Sequence, residues 1–225
     1  WLAEFSRGLF ACAEQFKIDL IGGDTTRGPL NIAIQIMGET PAGKALTRSG
    51  AKAGDDIWVS GHLGSAALGL MHLQNRQTLV NETTRAACLK ALHNPQPRAE
   101  LGLALQALAH SCIDISDGLL ADLGHILKAS NLGASIELET VPSLPAIKKR
   151  LHENIIQKAT LTGGDDYELC FTALPAMSDE ISALSQSLNL PLTKIGQTNT
   201  SDKLLVTFEK EHINLSQLGY DHFTN

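Results

Sequence analysis

The segment Ser111–His125 constrains the fold of this chain more than any other stretch of the sequence. An apolar run ends at Ile115, a polar turn follows at Ser116-Asp117-Gly118, and apolar residues then recur at helical spacing. This order predicts a strand, a tight turn and a helix, with Ser116 as the helix N-cap. A strand end and a helix start must therefore lie next to each other.

Two carboxylates flank this turn, Asp114 at the strand end and Asp117 at the helix start. Like charges at such a short distance repel unless a proton or a cation lies between them. A metal ion held by both carboxylates, with a phosphate on the backbone N–H groups of the helix N-terminus, would relieve the repulsion. The alternative is a capped, solvated turn, and a Ser-Asp-Gly sequence alone does not decide between the two.

Further glycine-rich turns follow apolar runs, at Gly22–Asp24 and at Gly163–Asp166. Glycine lets a ligand approach the backbone, and a neighbouring carboxylate can bind a hard cation. Each turn alone is more typical of ordinary chain reversal, but three acidic turns together favour a magnesium and phosphate site. Gly61–Gly64 opens a helix and is another candidate for phosphate, with simple capping as the alternative. Arg27 and Arg48 are candidate phosphate clamps, or merely surface charges.

Strands and helices alternate along the chain, which predicts an α/β (α+β) layered fold with a mixed sheet packed against helices. A loop at 40–54 marks a domain boundary, so that residues 1–45 and 46–225 form separate parts. Outside the central segment, helices are predicted at 1–17, 66–74, 81–92, 98–109, 143–157 and 178–189. Strands are predicted at 18–21, 31–38, 57–59, 134–138, 167–172, 192–195 and 204–208.

Composition narrows the possible partners. The net charge of −6 gives no electrostatic reason to expect nucleic acid or an anionic membrane. No apolar run reaches the roughly 18 residues that a membrane helix needs. The four cysteines form no Cys-x-x-Cys pair, which indicates reduced thiols in a cytoplasmic protein. The sequence has neither a P-loop nor a Gly-x-Ser-x-Gly elbow.

Five motifs, in order over nearly the whole chain, resemble the bacterial thiamine-monophosphate kinase family. They are Leu20–Gly28, Leu46–Ala51, Ile113–Leu119, Gly163–Leu169 and Gly219–Phe223. The wider superfamily includes aminoimidazole ribonucleotide synthetase, selenophosphate synthetase and the hydrogenase-maturation dehydratase. These enzymes handle ATP with a two-domain fold and dimerise through the N-terminal domain.

The resemblance implies transfer of the ATP γ-phosphoryl group to thiamine monophosphate, directly and in line, with several Mg²⁺ ions. The acceptor phosphate oxygen is already ionised at neutral pH, so no general base is assigned. By motif match, the metal ligands would be Asp24, Asp114 and Asp117, the nucleotide would contact Gly23, Asp24, Arg48 and Ser116, and the thiamine end would contact Asp165 and Tyr220.

The chain departs from the family pattern in one respect. The Gly-Asp-Asp and Ser-Thr-Asp motifs of the family's N-terminal domain do not occur ahead of Gly22. The resemblance then implies that residues 1–45 are a remnant of that domain and that residues 46–225 are the C-terminal ATP-binding domain. We expect the chain alone to have little kinase activity, and the full-length protein to form a homodimer. Two alternatives stay open: another ATP-dependent enzyme of the superfamily, or a non-catalytic domain that binds a nucleotide or a partner.

Overall fold

The computed structural model describes residues 1–213 and Gly219. The chain divides into two compact units, Trp1–Glu39 and Thr40–Asn225. In the described residues, no helix has the length and apolar character needed to cross a membrane.

The first unit contains helix α1 (Leu2–Gln15), which confirms the predicted helix. The strands predicted at 18–21 and 31–38 are wrong, because residues 1–39, all of which are described, contain no strand. The side chains of the alternating isoleucines, Ile32, Ile34 and Ile36, are exposed. A strand needs a neighbour to pair its backbone groups, and within residues 1–39 the two predicted segments pair neither with each other nor with any other segment.

The second unit alternates strands and helices as predicted. The strands are β1 (Asp56–Ser60), β2 (Ala109–Ile115), β3 (Gly133–Glu137), β4 (Glu168–Ala173), β5 (Leu192–Asn199), β6 (Leu204–Phe208) and β7 (Glu211–His212). The helices are α2 (Ser65–Leu73), α3 (Glu82–His93), α4 (Ala99–Leu105), α5 (Leu119–Ser130), α6 (Pro145–Lys148), α7 (Asn154–Thr162) and α8 (Ser178–Ser187).

Two predicted helices differ from the structure. The helix predicted at 98–109 ends at Leu105, because β2 already begins at Ala109. The helix predicted at 143–157 is divided into α6 and α7. Between these two helices the chain turns so that Leu151 is buried, and the guanidinium of Arg150 donates to the Glu153 carboxylate at 2.6 Å.

Within the described residues, seven strands form one sheet in the order β2-β4-β1-β5-β3-β6-β7. The pair β3–β6 is parallel and the other pairs are antiparallel, so the predicted mixed sheet is confirmed. The register places Ile115, the last residue of β2, opposite Glu168, the first residue of β4. The turn after β2 and the turn before β4 therefore lie at the same edge of the sheet.

Helices cover both faces of the sheet at strand β1. On one face, Ile57 and Val59 belong to a large core that includes buried residues of α2, α5 and α7. On the other face, Trp58 packs with α4 and α8 and stacks on Phe171, with ring centroids 6.4 Å apart. All five residues of β1 are buried, which explains why its sequence shows no polar alternation.

The core on the α5 side makes a testable contribution to stability. Leu123 is fully buried, so Leu123→Ala should lower the free energy of unfolding by about 2–5 kcal/mol, because it leaves a cavity. Leu103 of α4 is 69% exposed, and Leu103→Ala should change the free energy of unfolding by less than about 0.5 kcal/mol. Urea unfolding of the two variants measures the difference, and equal losses would contradict this assignment of the core.

Candidate active site

The turns that precede β4 and follow β2 are joined by backbone hydrogen bonds. The Asp165 N–H donates to the Ser116 carbonyl at 2.9 Å, and the Tyr167 N–H donates to the Ile115 carbonyl at 2.8 Å. A Cβ at Gly164 would lie 2.5 Å from the Ser116 oxygen, which explains glycine at that position. Two of the predicted acidic turns therefore form one surface.

The turn after β2 is closed by a buried carboxylate that sequence reasoning missed. Oδ2 of Asp122 accepts hydrogen bonds from the backbone N–H groups of Ser116 at 3.0 Å, Asp117 at 3.0 Å and Gly118 at 3.1 Å. Burial raises the pKa of Asp122, and the negative charges of Asp117 and Asp114 add to this, against the opposing effect of the hydrogen bonds. Asp122 lies within the first helical turn, reaching back to the preceding loop.

This contact corrects two predictions about the turn. Helix α5 begins at Leu119 with Gly118 at the N-cap position, so Ser116 is not the N-cap. The N–H groups that could have received a phosphate already donate to Asp122. The acid four residues after Gly118 was the available signal, because a carboxylate in the first helical turn suits the positive end of the helix dipole.

The N-terminus of α2 is closed in the same way. Oδ2 of Asp166 accepts from the Gly64 N–H at 2.8 Å, although the two residues are 102 positions apart. At the predicted phosphate site Gly61–Gly64, the Gly64 N–H is therefore already bound by the Asp166 side chain, and the N–H groups of Gly61 and Leu63 donate to the carbonyls of Pro191 and Pro142. Burial raises the pKa of Asp166 to about 8, with a further rise from the charges of Glu168 and Asp165 and an opposing effect of the Gly64 and Ala66 N–H groups.

A buried ion pair fixes the start of β4 beneath these turns. Glu168 is only 6% exposed and accepts from Nε of Arg98 at 2.7 Å and from the Ser60 hydroxyl at 2.5 Å. A second Arg98 nitrogen pairs with the other Glu168 oxygen, so the contact is bidentate. Since every partner comes from a different element, this network ties β1, β4 and the start of α4 together.

One phenol lies on the joined turns, beside the Asp165 carboxylate. The Tyr167 hydroxyl donates to Oδ1 of Asp165 at 3.5 Å. Burial raises the pKa of Tyr167 first, followed by the charge of Asp165 and then the charges of Asp114 and Asp117. Asp114 is exposed, and Asp117 and Asp165 are half-buried, so this acidic surface is open to a ligand.

Other predicted site residues lie on neighbouring segments. Arg48 is exposed and follows Thr47, whose carbonyl accepts from the Cys112 N–H at 3.0 Å, so its loop runs beside β2. Gly219 packs on the same turn, since a Cβ there would lie 2.9 Å from the Asp117 carbonyl oxygen. Tyr220 lies outside the described residues.

The predicted metal ligands are divided between the two units. Asp24, next to Gly23, is exposed in the first unit, where its Oδ1 accepts from the Thr25 N–H at 2.7 Å. Asp114 and Asp117 belong to the second unit. Among residues 1–213 and Gly219, no three His, Cys, Asp or Glu side chains are grouped so that they could hold a metal ion. Asp114 and Asp117 are two carboxylates of one turn, and carboxylate oxygens are the ligands that Mg²⁺ prefers.

Comparison with known proteins identifies the class of this fold and then the family. Residues 52–209 match the family described as AIR synthase related protein, C-terminal domain. The chain is 43% identical over 224 residues to thiamine-monophosphate kinase of Escherichia coli K12, an alignment that covers 99% of this chain and 69% of that protein. The chain therefore belongs to the thiamine-monophosphate kinase family.

Solved structures agree with this assignment. The crystal structure of thiamine-monophosphate kinase from Stenotrophomonas maltophilia K279a is 42% identical, with a TM-score of 0.82 over 95% of this chain and 68% of that one. A structure described as AaThiL complexed with AMPPCP and TMP is 28% identical, with a TM-score of 0.64 over 79% of this chain and 54% of that one. The resemblance inferred from the five motifs is confirmed.

The raised pKa of Asp166 predicts a pH-dependent stability. In the folded protein the Asp166 side chain has a pKa of about 8, whereas the ordinary value for aspartate is 3.8. Between these two pH values the folded state therefore binds a proton that the unfolded state has lost. Raising the pH from about 5 to about 8 should therefore weaken the wild type relative to Asp166→Asn, which has no proton to lose. Urea unfolding without divalent ions measures this, and a difference between the two proteins that stays constant with pH would contradict it.

Proposed function

We propose that this protein serves the chemistry of its family, the ATP-dependent phosphorylation of thiamine monophosphate to thiamine diphosphate. Residues 1–225 on their own should have little kinase activity, because the family's Gly-Asp-Asp and Ser-Thr-Asp motifs do not occur ahead of Gly22. The observation that carries the proposal is the junction of the acidic turns after β2 and before β4 in a member of the thiamine-monophosphate kinase family. A relative with the same fold was solved with AMPPCP, a nucleotide, and TMP.

The closed helix N-termini support a role for metal ions. Asp122 and Asp166 already accept the N–H groups of the α5 turn and of α2, so these groups are not free to neutralise a phosphate. Two phosphorylated molecules must nevertheless approach each other at an acidic surface. We therefore assign Mg²⁺ to Asp114 and Asp117, together with Asp24, where the bound ions would neutralise the phosphate charge.

The remaining site residues take roles that suit their chemistry. Gly23, Asp24, Arg48 and Ser116 would bind the nucleotide, and Arg48 is the cation among them. Asp165 and Tyr220 would contact the thiamine end, where a carboxylate suits the cationic thiazolium and an aromatic ring can stack on it. The acceptor is an ionised phosphate oxygen, so the chain's task is to bind and align the two substrates in line, with no base assigned.

The domain and assembly assignments are also proposals. Residues 46–225 would be the ATP-binding domain, and residues 1–45 part of the family's N-terminal domain, in keeping with the family match over 52–209. We assign the protein to the cytoplasm and the homodimer to the full-length enzyme. Its net charge of −6 gives no electrostatic reason to expect nucleic acid as a partner, and phosphorylated substrates would need metal ions or a few placed Arg and Lys side chains.

Removal of the acidic pair tests the metal assignment. Asp114→Asn and Asp117→Asn should each weaken the binding of a non-hydrolysable ATP analogue in the presence of Mg²⁺, because each loses a carboxylate ligand while keeping its shape. With a chelator present, the variants and the wild type should bind equally weakly. Isothermal titration calorimetry of each protein, with and without Mg²⁺, measures both effects.

The matched control is Asp179→Asn, which removes an exposed carboxylate of α8 outside the joined turns. It should bind the analogue as the wild type does. Unchanged Mg²⁺-dependent binding in both Asp114→Asn and Asp117→Asn would refute a metal site on this turn. Titration with thiamine monophosphate against other phosphorylated compounds then tests the substrate, and a preference for another compound would move the chain to a different branch of the superfamily.

A further inference from the structure

Tyr167 is unusual in both exposure and conformation. Its side chain is 43% exposed, and it is the exposed aromatic residue of the second unit among the residues that the structure describes. Its φ of 50° lies in the left-handed region, which is uncommon for a bulky residue. A hydrogen bond from its N–H to the Ile115 carbonyl, at 2.8 Å, fixes the backbone in this conformation. The fold thus holds an aromatic ring at the surface instead of burying it.

The ring of Tyr167 lies beside acidic side chains. Its hydroxyl donates to Asp165 at 3.5 Å, and the charges of Asp165, Asp114 and Asp117 act on it. A neutral ring next to carboxylates attracts cations through its face and its surroundings together.

An aromatic ring next to a carboxylate distinguishes between two kinds of cation. A hard metal ion binds through carboxylate oxygens and gains nothing from an aromatic face. An organic cation with a planar ring gains from both, because it can stack on the phenol while a carboxylate offsets its charge. The ring is therefore explained by an organic ligand and not by the metal ions.

We propose that Tyr167 is a specificity-determining residue that binds the cationic heteroaromatic ring of the phosphorylated acceptor substrate. This inference rests on the proposed function, in which that ring is the thiazolium of thiamine monophosphate. The ring of Tyr167 recognises the substrate by cation–π contact, and its hydroxyl keeps Asp165 oriented beside it.

Two substitutions separate the role of the ring from that of the hydroxyl. Tyr167→Leu keeps an apolar side chain but removes the π face, and it should weaken thiamine monophosphate binding on the order of tenfold. Tyr167→Phe keeps the ring and should bind this ligand more tightly than Tyr167→Leu. Both should bind the ATP analogue as the wild type does in Mg²⁺. Calorimetry with each ligand measures these affinities.

The control variant is Phe208→Leu, which removes a half-buried ring on β6, at the other end of the sheet. It should leave both affinities unchanged. If the wild type binds thiamine monophosphate and Tyr167→Leu binds it equally well, the inference fails while the proposed function stands. Equal weakening of both ligands in Tyr167→Leu would also overturn it, since that result indicates a disturbed turn. If the wild type does not bind thiamine monophosphate, the proposed function and the inference fall together.

Discussion

The acceptance of three backbone N–H groups by the Asp122 carboxylate is the interaction on which the site depends. It fixes the turn between β2 and α5, because the N–H groups of Ser116, Asp117 and Gly118 all donate to one carboxylate oxygen. The carbonyl of Ser116 then faces outward from this turn and accepts from Asp165. Without Asp122, the donors of the turn would lack a partner in a largely buried place, and the second acidic turn would lose its support.

Internal carboxylates also decide how the site can handle phosphate. Helix N-termini often bind anions, yet here Asp122 and Asp166 take that place. The surface left to a ligand carries Asp114, Asp117 and Asp165, all acidic. An acidic surface suits a reaction between two polyanions only when cations accompany them, and it also suits an acceptor whose ring is itself a cation. The same charge pattern thus favours both substrates for different reasons.

The sequence was most reliable where one strong pattern had no competitor. The apolar run of β1 and the helical spacing of α5 were predicted correctly, since each is buried in a way that its own residues dictate. The isoleucines at 31–38 alternate as a strand should, but pairing requires a neighbour that no local pattern can reveal. The prediction of one continuous helix at 143–157 was wrong for a related reason. The turn that divides it buries Leu151, and this burial depends on the core against which Leu151 packs.

The sequence by itself determined the family of this protein, through acidic glycine-rich turns that follow one another in an order matching that family. Only the tertiary structure decided which backbone donors remain for a ligand. Asp166, which accepts from the Gly64 N–H, lies 102 positions further along the chain. Glu168, which pairs with Arg98, lies 70 positions further along. Hydrogen bonding and desolvation act over a few ångströms in space. The backbone donors of a turn that is predicted to bind phosphate can therefore already be bound by an acidic side chain from a distant part of the sequence.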